Sequence, residues 1–321
     1  MKICLIGPGI MPIPPKGWGA VEILVHDVRC ELERIGHNVT VVNVKDKSEI
    51  IRQANATNAD FTHIHYDGHI DVIPHLTCKH VAITSHYGYL EQPSYWKRDG
   101  YVRILNSFAA IAPYVIAASP GIADVYKQLG FNQERLFVVH NGARSDLFRF
   151  DASCEYPDRS LYLSKIEQRK RQYIFQTIPD LFYAGNHADS RFNTQSERYL
   201  GEWNKDYLYD NLTKYANLAL LSDGENHALV CLEALMSGLG VVVSEFAAAN
   251  LDTSLPFIDV VPESRIKDLN YISATLKRNR ETSIKMRKEI REYAKKTFSW
   301  ETVVKDIYLG VINNILCQDK V

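Results

Sequence analysis

Glu225 and Glu233 stand eight positions apart in LALLSDGENHALVCLEALMSGLGVVV (218–243), the first in a polar loop and the second inside an apolar run. Leu229, Val230, Cys231, Leu232, Ala234, Leu235 and Met236 surround Glu233 on nearly every side of the turn, the signature of a buried helix. An ionised carboxylate left alone there costs on the order of several kcal/mol. It requires a cation, a set of hydroxyl donors or a proton, and an internal salt bridge meets that need as well as a ligand does. The free N–H groups of Asn226, His227, Ala228 and Leu229 open the same helix, where the dipole favours an anion or an oxygen-rich group. Upstream, SKIEQRKRQ (164–172) places Lys165, Arg169, Lys170 and Arg171 just after a strand-like run. Cations for phosphates, an anion-receptive helix start and a poorly solvated acid for ribose hydroxyls together describe a nucleotide-diphosphate site. Lys165 and Lys170 are expected to be exposed in it.

Other chemistries find less support. The six cysteines are scattered without a C-x-x-C pair, and none of the eleven histidines forms HExxH, so no metal site is expected. Cys4 and Cys231 read as small hydrophobes of a reducing compartment. Gly7-Pro8-Gly9 after the first apolar run hints at a nicotinamide-dependent oxidoreductase. Pro12 occupies the place of the third glycine or alanine in that fingerprint, and no helix opens there. His63 and His65 alternate along a strand and share one face, as packed or cleft-lining residues.

The elements that must position these residues alternate between strand and helix. Strands are expected over 2–7, 39–44, 61–65, 80–84, 114–118 and 136–140, with helices over 20–35 and 120–129, the first capped by Gly36. The pattern lapses over 148–159, where a linker is expected, and resumes with strands 160–163, 180–184, a short one ending at Gly201, 218–221 and 240–243. Helices are expected over 169–177, 206–214 and 228–237, and Ser299 can cap a last helix carrying Val303, Ile307, Val311 and Ile315. Strands alternating with helices imply right-handed crossovers and parallel sheets covered on both faces. The fold class is therefore α/β with two lobes, and ligands belong outside the carboxyl ends of the strands.

With 37 basic and 38 acidic residues, a net charge of −1 argues against a general nucleic-acid binder. No run of 18 apolar residues exists, and the N-terminus reads as unprocessed, so a cytoplasmic location is expected. Residues 276–296 hold nine basic and three acidic side chains. The plain reading is a solvated helix face. The functional one, for 277–296, is peripheral contact with the inner face of a membrane, at about 1 kcal/mol per basic residue.

The motif Glu225-x7-Glu233 followed by Ala-Leu-Met-Ser-Gly and an apolar strand resembles the Glu-x7-Glu motif of retaining GT-B glycosyltransferases, specifically glycosyltransferase family 4. Further segments agree in order: PPKGWGAVE, GHNVTVV, VAITSH ending at His86, ASPGIADVYKQLGF, VVHNGARSDLF, YLGEW and TFSWETVV. The resemblance implies a GT-B fold of two Rossmann-like lobes whose parallel sheets face each other across a cleft. An acceptor domain would span 1–150 and a nucleotide-sugar domain 151–298, with a C-terminal helix, 299–321, returning toward the N-terminal lobe. It implies a hexosyltransferase-like enzyme that moves a sugar, with retention, from a UDP- or GDP-sugar to a glycan, lipid-linked or small-molecule hydroxyl. The nucleotide sugar is a substrate, and no cofactor or metal is implied.

By the same resemblance, Lys165 and Lys170, with Arg169, would hold the diphosphate. Glu233 would accept from ribose hydroxyls, and Glu225 would lie near the donor sugar. Asn226 to Leu229 would supply backbone donors, and Gly17 or Gly19 would approach the phosphates. Gly201, Glu202 and Trp203 would meet the base, and His86 would orient the acceptor hydroxyl. Two departures stand out. Ser164-Lys165 replaces the family's Gly-Arg, losing a bidentate fork, and Asn226-His227-Ala228 replaces Gly-Phe-Gly. A catalytically silent sugar- or nucleotide-binding module of the same fold is the alternative.

Overall fold

The computed structural model describes residues 1–17 and 19–318; Trp18 of the glycine-rich motif and residues 319–321 of the C-terminal segment lie outside the described residues. The chain forms two compact units, one of residues 1–142 with 300 onward and one of residues 143–299.

In the first unit, strands β1 (Lys2–Ile6), β2 (Asn38–Val42), β3 (Phe61–Ile64), β4 (Val81–Ile83), β5 (Tyr114–Ala117) and β6 (Leu136–Val138) form one sheet in the order β2-β1-β3-β4-β5-β6. Each pairing is parallel, with Ile6 opposite both Val42 and Ile64. The chain passes from β1 to β2 on one side and then to β3 on the other, so the topological switch lies between β1 and β3. Helix Ala20–Arg34 covers one face with Leu24, Val25, Val28 and Leu32. Helices Lys47–Ala56 and Tyr101–Ile111 and a 3₁₀ segment, Asp67–His75, serve the other face; the sequence pattern predicts none of the three.

The last helical run completes this unit. It is α-helical over Trp300–Thr302, π-helical over Val303–Tyr308 and α-helical again over Leu309–Cys317. Trp300, Val303, Val304, Tyr308, Ile312 and Ile315 are buried with Leu24, Val28 and Leu32, so the C-terminal segment returns to the N-terminal lobe as expected. The buried positions differ from the expected stripe. Ile307 and Val311 are only half-buried, because the wider π turn rotates Val304, Tyr308 and Ile312 inward instead.

The second unit holds β7 (Tyr156–Leu163), β8 (Leu181–Ala184), β9 (Tyr215–Leu220), β10 (Gly240–Ser244) and β11 (Ile258–Val261), all parallel, in the order β11-β10-β9-β7-β8. All residues of β9 and β10 are buried, as a strand covered on both faces requires. Here the switch lies between β7 and β9. Residues 148–159 do not act as a linker: Phe148 is buried in this core and β7 begins at Tyr156. Gly201 ends no strand, since only an isolated bridge joins Tyr183 to Tyr199. The helix expected over 169–177 is broken into Gln168–Lys170 and Gln172–Phe175 by Arg171, which takes φ 58°.

The basic segment is two helices, Leu269–Lys285 and Arg287–Phe298. Three of its arginines turn inward. Arg280 donates to Ser160 (2.9 Å) and Asp180 (2.6 Å), and Arg291 donates to the Phe148 and Ser145 carbonyls, each at 3.1 Å. Arg287 is fully buried and donates to the carbonyls of Asp151 (2.8 Å), Tyr215 (3.1 Å) and Thr213. These guanidinium groups satisfy carbonyls at strand and loop ends that would otherwise be orphaned. Lys277, Lys285, Lys288, Lys295 and Lys296 remain exposed, beside Glu281, Glu289 and Glu292.

Candidate active site

The loops after β7 and β9 flank the switch of the second sheet, where open α/β sheets take ligands. The buried Tyr162 of β7 ties them together. Its hydroxyl donates to the Lys170 carbonyl at 2.5 Å and accepts from Leu221 N–H at 2.9 Å. A backbone bond from Asp223 N–H to the Arg169 carbonyl, 2.9 Å, adds a second tie. The two loops therefore present their side chains to one another.

Glu225 receives Lys170 Nζ at 2.5 Å and Arg169 Nη1 at 3.1 Å. Arg169 also donates to the Gly224 carbonyl at 2.5 Å and to Glu167 at 3.1 Å. Burial pushes Glu225 up, but Lys170 and Arg169 outweigh it and hold the carboxyl at about 2. Glu225 is thus an anionic acceptor at neutral pH. Lys170, expected to be exposed, is 8% exposed and committed to that carboxylate. Lys165 stays accessible, its side chain 38% exposed and its Nζ 3.5 Å from Glu167. Arg171 faces Glu263 at 2.9 Å rather than this cluster.

Helix Leu229–Met236 begins after Ala228, whose side chain cannot cap it, and Asn226, His227 and Ala228 are buried beside its first turn. Glu233 lies on this helix and pairs with Lys205 Nζ at 3.1 Å. Burial first, then the charge of Glu225 and to a lesser degree that of Glu233, raise the Cys231 thiol, so both carboxylates act on one side chain. Of the residues placed near a base, Gly201 takes φ 76° and accepts from Gly185 N–H. Glu202 is exposed, and Trp203 packs edge-on against Tyr207 with centroids 5.1 Å apart. The structure therefore brings together Glu225, Arg169 and Lys170, while Glu233 forms a separate pair with Lys205. Lys205 has no sequence signal beyond a positive charge in a helix's first turn, where the dipole opposes it.

In the first unit, Gly17 precedes helix Ala20–Arg34, and Gly19 is its N-cap with φ 135°. The glycines that hinted at a dinucleotide fingerprint have a local explanation. Gly9 N–H donates to Asn43 Oδ1 at 2.7 Å, and a Cβ on Gly9 would collide with the Val44 backbone. His86 follows β4, its Nε2 3.4 Å from His65 Nδ1 and its ring stacked at 16° on His65. Burial lowers His86 to about 4. His63 is locked. Thr84 Oγ1 donates to the Ile116 carbonyl (2.8 Å), so it accepts from His63 Nε2–H (2.8 Å), which leaves Nδ1 to accept from Tyr308 O–H (2.7 Å). Burial lowers His63 to about 3. His63, His65, His86 and His140 line a cavity of about 30 Å³ together with Trp300 and Tyr308. Among the described residues no three His, Cys, Asp or Glu side chains group as metal ligands, and no helix is long and apolar enough to cross a membrane.

No family model matches the chain, and no curated protein matches its sequence. Solved structures match its fold. AviGT4, a glycosyltransferase involved in avilamycin A biosynthesis, aligns with TM-score 0.72 at 16% identity over 99% of this chain and 98% of that one. HepE from Anabaena, in complex with UDP and glucose, aligns with TM-score 0.72 at 15% identity over 98% of this chain and 100% of that one. Sucrose-phosphate synthase from Thermosynechococcus elongatus aligns with TM-score 0.77 at 16% identity over 99% of this chain and 100% of that one. The two Rossmann-like parallel-sheet lobes are those of the GT-B fold.

Proposed function

We propose that the protein is a retaining glycosyltransferase of the family 4 type, moving a sugar from a UDP- or GDP-sugar to a hydroxyl acceptor. The observation that carries the reading is the meeting, at the switch point of the second sheet, of an ionised Glu225, two cations and the start of an uncapped buried helix. In the reaction the bond between the anomeric carbon and the diphosphate oxygen breaks with its electron pair leaving on the diphosphate. The acceptor oxygen bonds the anomeric carbon on that same face as its O–H bond breaks, the proton passing to the departing diphosphate oxygen.

Lys165, Arg169 and Lys170 would meet the departing charge, as fixed cations in a poorly solvated site do. The N–H groups of Asn226 to Leu229 would serve donor oxygens. Glu225 would bind the donor sugar, Glu233 the ribose hydroxyls, and Gly201 to Trp203 the base. Gly17 and Gly19 would approach the phosphates, and His86 the acceptor hydroxyl, in a glycan or glycolipid. No cofactor enters this reading. That HepE was solved with UDP and glucose supports beginning with uridine nucleotides.

Calorimetry with UDP, GDP, ADP and NAD, followed by product assay with the matching nucleotide sugars, tests the proposal. Micromolar binding of one pyrimidine or guanine diphosphate and transfer to a hydroxyl are expected; a preference for NAD sinks it. The anomeric proton coupling of the product tests retention. Binding without transfer to any of a panel of glycosides favours the silent module. For the exposed lysines of 277–296, co-sedimentation with anionic vesicles tests peripheral contact; no binding in low salt removes it.

A further inference from the structure

Lys205 is the first residue of a seven-residue helix, Lys205–Asn211, behind the N-cap Asn204, whose side chain accepts from Tyr207 N–H at 2.8 Å. A cation in a first turn is opposed by the helix dipole, so helix formation does not account for it. Its Nζ lies 3.1 Å from Glu233 Oε1, with 20% of the Lys205 side chain and 11% of the Glu233 side chain exposed. An ammonium has three donors, and among the described residues it makes a single hydrogen bond, to Glu233; the Tyr209 ring lies 5.9 Å from Nζ. Among the described residues no donor reaches the second Glu233 oxygen. The pair thus offers an anionic acceptor and cationic donors side by side. A vicinal diol complements that arrangement, one hydroxyl donating to the carboxylate while its neighbour accepts from the ammonium.

We propose that Lys205 is a specificity-determining residue that, with Glu233, reads the vicinal diol of the donor's ribose and so selects ribonucleotides over deoxyribonucleotides. This rests on the assignment of Glu233 to the ribose. Losing a hydrogen bond that a site is built to make leaves buried polar groups unpaired, which is how an enzyme rejects the deoxy analogue.

The test compares calorimetric affinities for UDP and 2′-deoxy-UDP in the full chain, its Lys205→Met and Lys205→Gln variants and the conservative Lys205→Arg. The wild type is expected to favour UDP by about tenfold or more. That ratio should collapse to within about threefold in the Met and Gln variants and return with Arg. Binding of 2′-deoxy-UDP reports on folding of each variant. An undiminished ratio in Lys205→Met and Lys205→Gln overturns the inference while leaving the ribose assignment intact. Proportionate loss of both nucleotides marks a structural role and also overturns it. A wild type that binds UDP and 2′-deoxy-UDP alike overturns the ribose assignment itself, and the inference with it.

Discussion

Lys165 and Lys170 carry the same charge five residues apart, yet the structure gives them different duties. Lys170 is sealed against Glu225 with both side chains about nine-tenths buried. Removing one partner of such a pair strands the other charge, which costs about 3–5 kcal/mol. Lys170→Ala should therefore lower the denaturant midpoint sharply, whereas Lys165→Ala should leave it within about 0.5 kcal/mol and reduce turnover. Equal midpoints for the two variants would contradict this. Glu233→Ala should weaken binding of the preferred nucleotide diphosphate by about 1.5–3 kcal/mol, read by calorimetry. Arg287→Met leaves three main-chain carbonyls without their donor. It should cost about 3 kcal/mol or more at about 1 kcal/mol or more per orphaned group, measured by urea unfolding. The burial of Lys170, which the sequence predicts to be exposed, depends on Glu225, 55 residues further on, whereas the spacing of Glu225 and Glu233 and the apolar surroundings of Glu233 are local facts legible in the sequence. Lys205 and Arg287 are not, because what makes them matter is a partner distant in the chain: Glu233 for the one, and the ends of distant strands and loops for the other.

Helices and strands show where local patterning prevails and where tertiary contact overrides it. β9 and β10 are continuous apolar runs legible in the sequence, whereas the sequence predicts no helix over Tyr101–Ile111, which follows directly on another short helix, Pro93–Arg98. The break at Arg171 is likewise invisible to periodicity, since an arginine adopts a left-handed backbone here while its side chain reaches Glu263. The π turn of the C-terminal run aims Tyr308 at His63. Tyr308→Phe leaves Nδ1 of a buried imidazole without a donor and should cost about 1–3 kcal/mol, seen as a lower melting temperature. This histidine cluster also sets a pH dependence. Burial holds His63 at about 3 and His86 at about 4, below the ordinary 6.5, so the unfolded chain binds more protons between those values. Stability supplied by the neutral rings is present above 6.5 and is lost as pH falls. Asp67, raised by burial to about 6 against hydrogen bonds from Tyr101 and Ser85, acts oppositely between 3.8 and 6. His65, also lowered by burial, adds to His63 and His86; three lowered imidazoles outweigh one carboxyl, and unfolding at pH 5 should need less urea than at pH 7.5.

The two α/β lobes follow from alternating strands and helices, and that much of the architecture was legible. Where the chain changes lobe was not, because 148–159 lacks periodicity yet supplies Phe148 and the start of β7. The first lobe depends on its distant tail. Trp300, Val303, Val304, Tyr308, Ile312 and Ile315 bury apolar surface in its core. At about 1.5–3 kcal/mol for each fully buried large side chain, their sum rivals the roughly 5–15 kcal/mol that stabilises a typical domain. A chain ending at Ser299 should leave the first lobe open to rapid amide exchange while the second stays protected; uniform protection would refute this. During translation, then, the opening 142 residues leave the ribosome without the segment that finishes their core, whereas residues 143–299 are uninterrupted and can close on themselves. The part synthesised first thus completes its core only after the segment from Trp300 onward has emerged, later than the unit that follows it.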